Sequence, residues 1–361
     1  LRGVLDGLEL FVSHWIRFGQ LLIVVLQQKT DLAMPSWLPS IPYPPARDDG
    51  YWAPITSTLD WCEENYYATP YSAEIVNTLT NLLFVYLAFK GMYSCYMHNH
   101  DRIFFITFAG YLLVGTGSFA FHSTLKYPMQ LVDELSMIYT TCLMFWATFS
   151  HTRAHPVPLL LGLFTVALAV FITAYYHYLQ DPTFHQNAYA ILTALVLLRS
   201  MYVMELNLRP YFSRRHIVHK RLQNADVLSE KERLEEKRKD VRDQVIVAQM
   251  WVMIAVGLSV FLGGFAIWNL DNAYCSTLRR WRHEIGLPWG ILLEGHGWWH
   301  LMTGYGAYFY IVWGVWLRHC LNGKQDEYDM LWPSWFSIPV VVKRATPPSL
   351  AEMNGDTKKA R

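Results

Sequence analysis

Hydrophobic and polar positions are arranged along the chain in long blocks. From about residue 75 to residue 318, apolar stretches of roughly twenty residues recur between short polar segments, which is the length needed to cross a bilayer. The pattern predicts an all-α membrane protein, a seven-transmembrane-helix bundle. The predicted spans are Glu74–Met92, Ile103–His122, Leu131–Phe149, Pro158–Leu179, Phe184–Met204, Val245–Leu270 and Gly297–Leu317.

The polar segments divide the chain into three parts. Residues 1–45 form an N-terminal extension whose apolar stretch, Leu10–Leu26, could be an interfacial helix, an extra span or a signal-anchor remnant, followed by a Pro-rich linker. Residues 46–321 carry the seven spans, and residues 322–361 form a tail. Between spans 5 and 6, residues 205–244 form a charged insert with both signs at helical spacing, for which a solvated helix or a disordered loop is expected.

The distribution of basic residues predicts the orientation. Lys and Arg concentrate in the 205–244 insert, so the positive-inside rule places this insert and the C-terminus in the cytosol, and the N-terminal side of the first span in the lumen. The formal net charge is only +1, and no basic surface is interleaved with aromatics. Nucleic acid is therefore excluded as a partner, while the lipid bilayer is expected as one.

Three histidines stand at the ends of predicted spans. His122 ends span 2, while His296 and His300, four residues apart and hence on one helical face, lie where span 7 begins. Connectivity places all three on the same side of the membrane. Three imidazoles are the ligand set of a catalytic zinc site, and histidine is costly within a membrane unless it has a function or a partner. The sequence therefore predicts an intramembrane metallohydrolase.

Polar side chains near these histidines are further candidates for chemistry. Ser118 precedes His122 by one helical turn, and Asp133 opens span 3 across a short loop. A carboxylate there could be a general base, and a hydroxyl could hold an oxyanion. For Ser118 helix packing or a bond to its i−4 carbonyl remains an alternative, and Asp133 could instead cap span 3. Since neighbouring helical positions point about 100° apart, only one of Asp133 and Glu134 can face the metal.

An acidic segment precedes span 1. Its carboxylates and amide, from Asp60, Glu63, Asn65 and Glu74, are the hard oxygen ligands that calcium prefers, but the spacing is not that of an EF-hand. On these residues alone, a solvated acidic turn is the favoured interpretation.

Several unusual motifs occur together in the chain. They are Gly50-Tyr-Trp-Ala-Pro-Ile-Thr-Ser-Thr-Leu-Asp-Trp-Cys-Glu-Glu-Asn65, Gly117-Ser-Phe-Ala-Phe-His-Ser-Thr-Leu-Lys-Tyr127, Met129-Gln-Leu-Val-Asp-Glu-Leu135, Phe184-His-Gln186, Trp268-Asn-Leu-Asp-Asn272 and His296-Gly-Trp-Trp-His300. With these motifs the chain resembles the alkaline ceramidases, particularly the fungal type, of a superfamily that also contains the adiponectin receptors. The resemblance runs from about Gly50 to Leu321.

The resemblance implies a set of site residues. It implies a catalytic zinc held by His122, His296 and His300, with Ser118 and Asp133 beside the reacting water. It also implies a calcium site formed by Asp60, Trp61 through its carbonyl, Glu63, Asn65 and Glu74, which replaces the acidic-turn interpretation. Cys62 and Cys275 share the lumenal side of the predicted topology, where the residues alone leave a disulfide and two free thiols equally open. The resemblance favours the disulfide.

The resemblance also implies an activity. It is hydrolysis of the N-acyl amide of a ceramide, dihydroceramide or phytoceramide to a sphingoid base and a fatty acid, in the endoplasmic reticulum or Golgi membrane. The alternative is a seven-span lipid receptor of the adiponectin-receptor type. The three histidines would be shared by both classes, whereas the acidic segment ending at Asn65 favours the ceramidase.

Overall fold

The computed structural model describes residues 39–151, 153–224, 229–334 and 337–344. The predicted N-terminal extension up to residue 38, including Leu10–Leu26, and the tail beyond residue 344 lie outside these residues. The helices are α1 (Ile75–Thr80), α2 (Leu82–Met97), α3 (Arg102–Thr124), α4 (Tyr127–Ser150), α5 (Val157–Leu179), α6 (Pro182–Leu208), α7 (Arg214–Asn224), α8 (Glu230–Ala273), α9 (Cys275–Ile285) and α10 (Gly295–Leu321), with a 3-10 turn at Trp289–Leu293.

Within the described part of the chain, five helical segments are long and apolar enough to cross a membrane. They are Ile75–Met97, Arg102–Thr124, Val157–Leu179, Pro182–Leu208 and Glu230–Ala273. The first comprises α1 and α2, which are separated only by Asn81, and the backbone of Asn81 is itself in the right-handed helical conformation. The other two predicted spans correspond to α4 and α10, which have 24 and 27 residues but are not among these five segments. The protein is thus a mostly helical membrane protein.

Helix α10 lies at the centre of the bundle and packs along α8. Glycines make the close approach possible, because a Cβ atom added at Gly306 would lie 3.0 Å from the carbonyl oxygen of Gly257. On its other side α10 contacts α1 and α2, while α3 packs between α2 and α4 and α4 supports α5 and α6. This order brings the C-terminal end of α3 beside the N-terminal end of α10; we call this the histidine end of the bundle.

The charged insert between spans 5 and 6 is largely helical where the structure describes it. Its second half forms the first turns of α8, which begins with a capping box between Ser229 and Glu232 and continues without a break into the apolar span. The expectation of a solvated helix therefore holds for this half. Arg238 and Arg242 of this extension pair with Asp326, beyond α10.

A small β-hairpin follows α10, at the end of the bundle opposite to the histidines. Strand β1 (Tyr328–Leu331) pairs with the antiparallel strand β2 (Val340–Lys343). Its Tyr328 ring stacks on His319 at 3.6 Å between ring centroids, and its Val341 carbonyl accepts a hydrogen bond from Nε2 of His100 at 3.1 Å. The apolar pattern does not predict this hairpin, which fastens the start of the tail to α2 and α10.

Candidate metal centre

The three histidines that the sequence predicts as metal ligands lie close together at the histidine end of the bundle. His122 comes from the last turns of α3, and His296 and His300 come from the first turns of α10. Their ring centroids lie 4.6 to 5.0 Å apart, and their exposed fractions are 1%, 5% and 5%. Among the described residues, they are the one group of three or more His, Cys, Asp or Glu side chains whose ligand atoms all lie within 4.8 Å of one another.

Two of the three imidazoles are oriented by hydrogen bonds on their outer nitrogens. Nδ1 of His122 lies 2.5 Å from Oε2 of Glu74, and Nδ1 of His300 donates to the carbonyl oxygen of Asn77 at 3.0 Å. Both Nε2 atoms are therefore free to face the centre. Carboxylate and carbonyl partners of this kind fix the tautomer and the ring orientation of metal-binding histidines. The donor set fits a zinc ion.

The third imidazole is held mainly by packing. The indole ring of Trp61 lies against His296, with 4.5 Å between ring centroids, and Trp61 in turn contacts Trp268 at 5.7 Å. Nδ1 of His296 is buried and has no hydrogen-bond partner among the described residues. Trp61 therefore places the acidic segment in direct contact with the cluster of three histidines.

Ser118 and Asp133 approach each other beside this centre. Ser118 lies one turn before His122 on α3, and its side chain lies close to the Asp133 carboxylate on α4. The two helices come close here because of Gly117, where an added Cβ would lie 3.2 Å from the backbone nitrogen of Asp133. A hydroxyl and a carboxylate therefore lie next to each other, one helical turn from His122 along α3. Asp133 lies in the second turn of α4, so it is not the residue that caps this helix.

Glu134 faces away from this pair. Its carboxylate accepts hydrogen bonds from Tyr176 of α5 and from Gln130, one turn earlier on α4. The two adjacent side chains thus point in different directions, as expected on a helix. Asp133 points toward α3, and Glu134 points toward α5 and α6.

The residues of the expected calcium site lie around the start of α1. The carboxylate of Glu63 accepts hydrogen bonds from the backbone nitrogens of Val76 and Asn77, at 2.7 and 2.8 Å, and so caps this helix. Asn65 donates to Asp60 at 3.2 Å. The Trp61 carbonyl accepts from Arg279 at 3.2 Å.

Two features of this segment fit a bound cation. The amide oxygen of Asn65 is buried without a hydrogen-bond partner among the described residues. Burial, followed by the charges of Glu294 and Glu74, raises the pKa of the Glu63 carboxyl well above its usual range. An added cation would oppose that shift.

Glu74 has a role that the sequence does not indicate. The resemblance makes it a calcium ligand only, whereas in the structure one carboxylate oxygen contacts His122 and the other accepts from the backbone nitrogen of Trp61 at 3.2 Å. The residue is fully buried. It therefore links the acidic segment to the imidazole of His122.

Cys62 and Cys275 are joined by a disulfide, with 5.4 Å between their Cα atoms. Around it, the carbonyl of Cys62 accepts hydrogen bonds from Arg279 and Arg282 of α9. Arg282 is fully buried and forms an ion pair of 2.7 Å with Glu294, two residues before His296. Burial raises the pKa of the Glu294 carboxyl to about 7, against the opposing charge of Arg282. The disulfide, α9 and this ion pair thus connect the acidic segment to the start of α10.

The disulfide predicts a specific labelling pattern. In denaturant without reductant, Cys95, Cys142 and Cys320 should be alkylated, because they are free thiols in the structure, whereas Cys62 and Cys275 should be alkylated only after reduction. Peptide mapping by mass spectrometry measures this directly, with the three free cysteines as internal controls. Replacing both bonded cysteines by Ser should cost about 2–5 kcal/mol of stability. Alkylation of Cys62 before reduction would contradict the bond.

Comparison with known proteins agrees with this geometry. A family model described as Ceramidase matches residues 53–342. The chain is similar to alkaline ceramidase YPC1 of Saccharomyces cerevisiae, with 35% identity over 310 residues that cover 85% of this chain and 90% of the relative. It is also similar to alkaline ceramidase 3 of Mus musculus, with 34% identity over 295 residues that cover 80% and 94%.

Fold and site define a helical membrane protein with a buried cluster of three histidines at one end of its bundle. The match to the family model covers most of the chain and extends into the second strand of the hairpin after α10. The chain belongs to the ceramidase family.

Proposed function

We propose that this protein is a zinc-dependent intramembrane amidohydrolase that cleaves the N-acyl amide of ceramides. The products are a sphingoid base and a fatty acid. Family membership and the names of the two relatives support the substrate class. The single observation that carries the chemistry is the buried convergence of His122, His296 and His300. No contact in the described residues favours the receptor alternative.

The residues of the chain divide the reaction between them. The three histidines would hold a zinc ion, which would act as a Lewis acid, polarising the amide carbonyl and making water more acidic. Asp133 accepts the proton of the attacking water and delivers it to the nitrogen of the departing amine as the C–N bond breaks. Ser118 donates a hydrogen bond to the oxygen that gains negative charge from the carbonyl. In the structure the Ser118 side chain lies close to the Asp133 carboxylate, so its hydroxyl turns from this carboxylate to the substrate oxygen during the reaction.

The position of the site suits a lipid substrate. The metal-binding side chains are buried at one end of a bundle whose outer faces expose large apolar residues, such as Phe164, Val166 and Val170 on α5. A ceramide can therefore approach from the bilayer without its chains being solvated. We assign seven spans to the bundle by including α4 and α10, and the positive-inside rule then makes the histidine end lumenal and the C-terminus cytosolic, in the endoplasmic reticulum or Golgi membrane.

We further propose that calcium binds the acidic segment through Asp60, the Trp61 carbonyl, Glu63, Asn65 and Glu74. Oxygen donors of this kind suit calcium rather than zinc. Through Trp61 and Glu74 this segment contacts two of the three metal-binding histidines. Calcium at this position would therefore stabilise the metal centre without taking part in the reaction.

Calcium addition should raise the melting temperature of the calcium-depleted, zinc-loaded protein, because a ligand that binds only the folded state stabilises it. Asn65→Ala should abolish most of this increase and keep the zinc. Asn65 is the better test than Glu74, since Glu74 also contacts His122. Thermal unfolding combined with elemental analysis measures both. Asp48→Ala, at an exposed acidic position that precedes the acidic segment, is the control. Equal calcium-induced shifts in Asn65→Ala and wild type would remove the site.

The activity is tested with purified protein in lipid nanodiscs and a panel of ceramides, dihydroceramides and phytoceramides. Mass spectrometry should detect free sphingoid base and fatty acid in equal amounts. A His300→Ala protein prepared in parallel controls for contaminating hydrolases. Zinc-loaded wild type that releases no base from any member of the panel would refute the proposed function.

A further inference from the structure

A second buried polar cluster lies beside the metal centre, on the far side of α4. It consists of Gln130 and Glu134 of α4, Tyr176 from the last turn of α5 and His185 from the first turn of α6. None of the four residues is more than 8% exposed. Neither the zinc site nor the calcium site uses them, although Gln130, Glu134 and His185 fall within the motifs that distinguish this chain.

The cluster fixes Glu134 through both its side chain and its backbone. The Tyr176 hydroxyl and Nε2 of Gln130 both donate to Oε2 of Glu134, the latter at 3.1 Å. Nε2 of His185 donates to the carbonyl oxygen of Glu134 at 2.8 Å, and Nδ1 of His185 lies 3.6 Å from Oε1. A residue hydrogen-bonded to one side chain of α5 and one of α6 has little freedom to rotate.

The position of this attachment matters because Asp133 is the adjacent residue. Consecutive residues of a helix point about 100° apart, so the direction of Glu134 sets that of Asp133. On the opposite side, the close approach at Gly117 presses α3 against the backbone nitrogen of Asp133. Helix α4 is therefore held on one side at Asp133, by α3, and on the other side at Glu134, by α5 and α6. The directions of these two residues decide whether the Asp133 carboxylate reaches Ser118.

We propose that Gln130, Glu134, Tyr176 and His185 are positioning residues that fix the rotation of α4 and thereby keep Asp133 directed at the reacting centre. The inference rests on the proposed function of Asp133 as the proton carrier. A buried polar network can also stabilise a fold without affecting a reaction. A positioning role and a purely structural role differ in one respect. A positioning residue affects the reaction only through Asp133, whereas a structural residue affects the stability of the fold whether or not Asp133 is present.

Tyr176→Phe removes one hydroxyl and should lower kcat about ten- to a hundredfold, since small misplacement of a reacting group is costly. The matched control is Tyr139→Phe, because Tyr139 also joins α4 to α5, through a hydroxyl contact of 2.8 Å with Thr173, but it is 39% exposed and away from Asp133. The control should keep wild-type kcat. His185→Gln, which retains a donor for the Glu134 carbonyl, should recover part of the loss seen in His185→Ala.

A double-mutant cycle separates positioning from stability. If the network acts through Asp133, Tyr176→Phe should cost little in an Asp133→Asn background, measured in single-turnover reactions with excess enzyme. In the metal-free protein, hydrogen exchange at residues 130–136 should be faster in Tyr176→Phe than in Tyr139→Phe. Zinc content should be unchanged in both variants.

Additive losses in the cycle, or an equal loss in Tyr139→Phe, would overturn the proposal. Unchanged exchange at residues 130–136 would do the same, even where no turnover can be measured. Failure of the proposed function itself would appear separately, as wild-type protein that hydrolyses no ceramide.

Discussion

Replacing His300 by Ala will strip the metal from the protein and abolish ceramide hydrolysis. The reason is that, in the proposed zinc site, the three buried imidazoles would supply all the protein ligands, so removing one would leave two donors for an ion that needs three in a catalytic site. Elemental analysis should give about one zinc per chain for wild type and far less for the variant. His122→Ala and His296→Ala should behave in the same way.

A histidine elsewhere in the bundle provides the matched control for this prediction. His319, also on α10 and 5% exposed, packs on Tyr328 at the opposite end of the bundle. His319→Ala should lower stability through the hairpin, but it should retain one zinc. Full zinc content in His300→Ala protein would disprove the assignment of the centre, whatever the activity of that protein.

The hydrogen bonds that orient these histidines allow a second test, in which zinc affinity should fall only in part. Glu74 contacts Nδ1 of His122, and loss of such a partner typically costs 10- to 100-fold in metal affinity. Glu74→Gln should therefore weaken zinc binding without abolishing it, in contrast to the outcome expected if Glu74 served calcium alone. Titration with a zinc indicator distinguishes the two. Asn65→Ala should leave zinc affinity unchanged.

Much of the bundle is predictable because its signals are local. The apolar blocks indicate the positions of the five described helices that are long and apolar enough to cross a membrane, and also those of α4 and α10. The spacing of His296 and His300 by itself places both on one helical face. The start of α8 also has a local signal, since Ser229 and Glu232 have the spacing of a capping box. The charged composition after it favours a solvated segment and does not reveal that the same helix continues unbroken into the apolar span.

Other features depend on contacts between distant parts of the chain. The ion pair of Arg282 with Glu294 and the hydrogen bond of Tyr43 to Glu294 join residues whose proximity no spacing reveals. The hairpin strands have four residues each, too short for a periodic pattern to be recognised. Asn77 and Asn81 do offer a signal, because two amides four residues apart within an apolar span need partners. The Asn81 amide lies against Nδ1 of His300, and the Asn77 amide donates to Glu74, which contacts His122.

Asp133→Asn should lower kcat by about a hundredfold or more, as expected when a general base is removed from an otherwise intact site. The substitution keeps the size of the side chain, so zinc content and melting temperature should stay close to wild type. Glu134→Gln should cost less, because Glu134 faces Tyr176 and Gln130 and acts only through the position of α4. Ser118→Ala should fall between the two, since it removes one donor to the developing oxyanion.

The order of these losses tests the direction of α4 as well as the chemistry. Steady-state kinetics on one ceramide, at equal zinc content, gives the comparison. A Glu134→Gln enzyme that is more impaired than Asp133→Asn would reverse the two roles and place Glu134 at the reacting centre. That outcome would require α4 to be rotated by about 100° from its orientation in the structure, because adjacent helical positions cannot face the same point. The hydrogen bond from His185 to the Glu134 carbonyl would then have to break, which makes it the contact to monitor in such a variant.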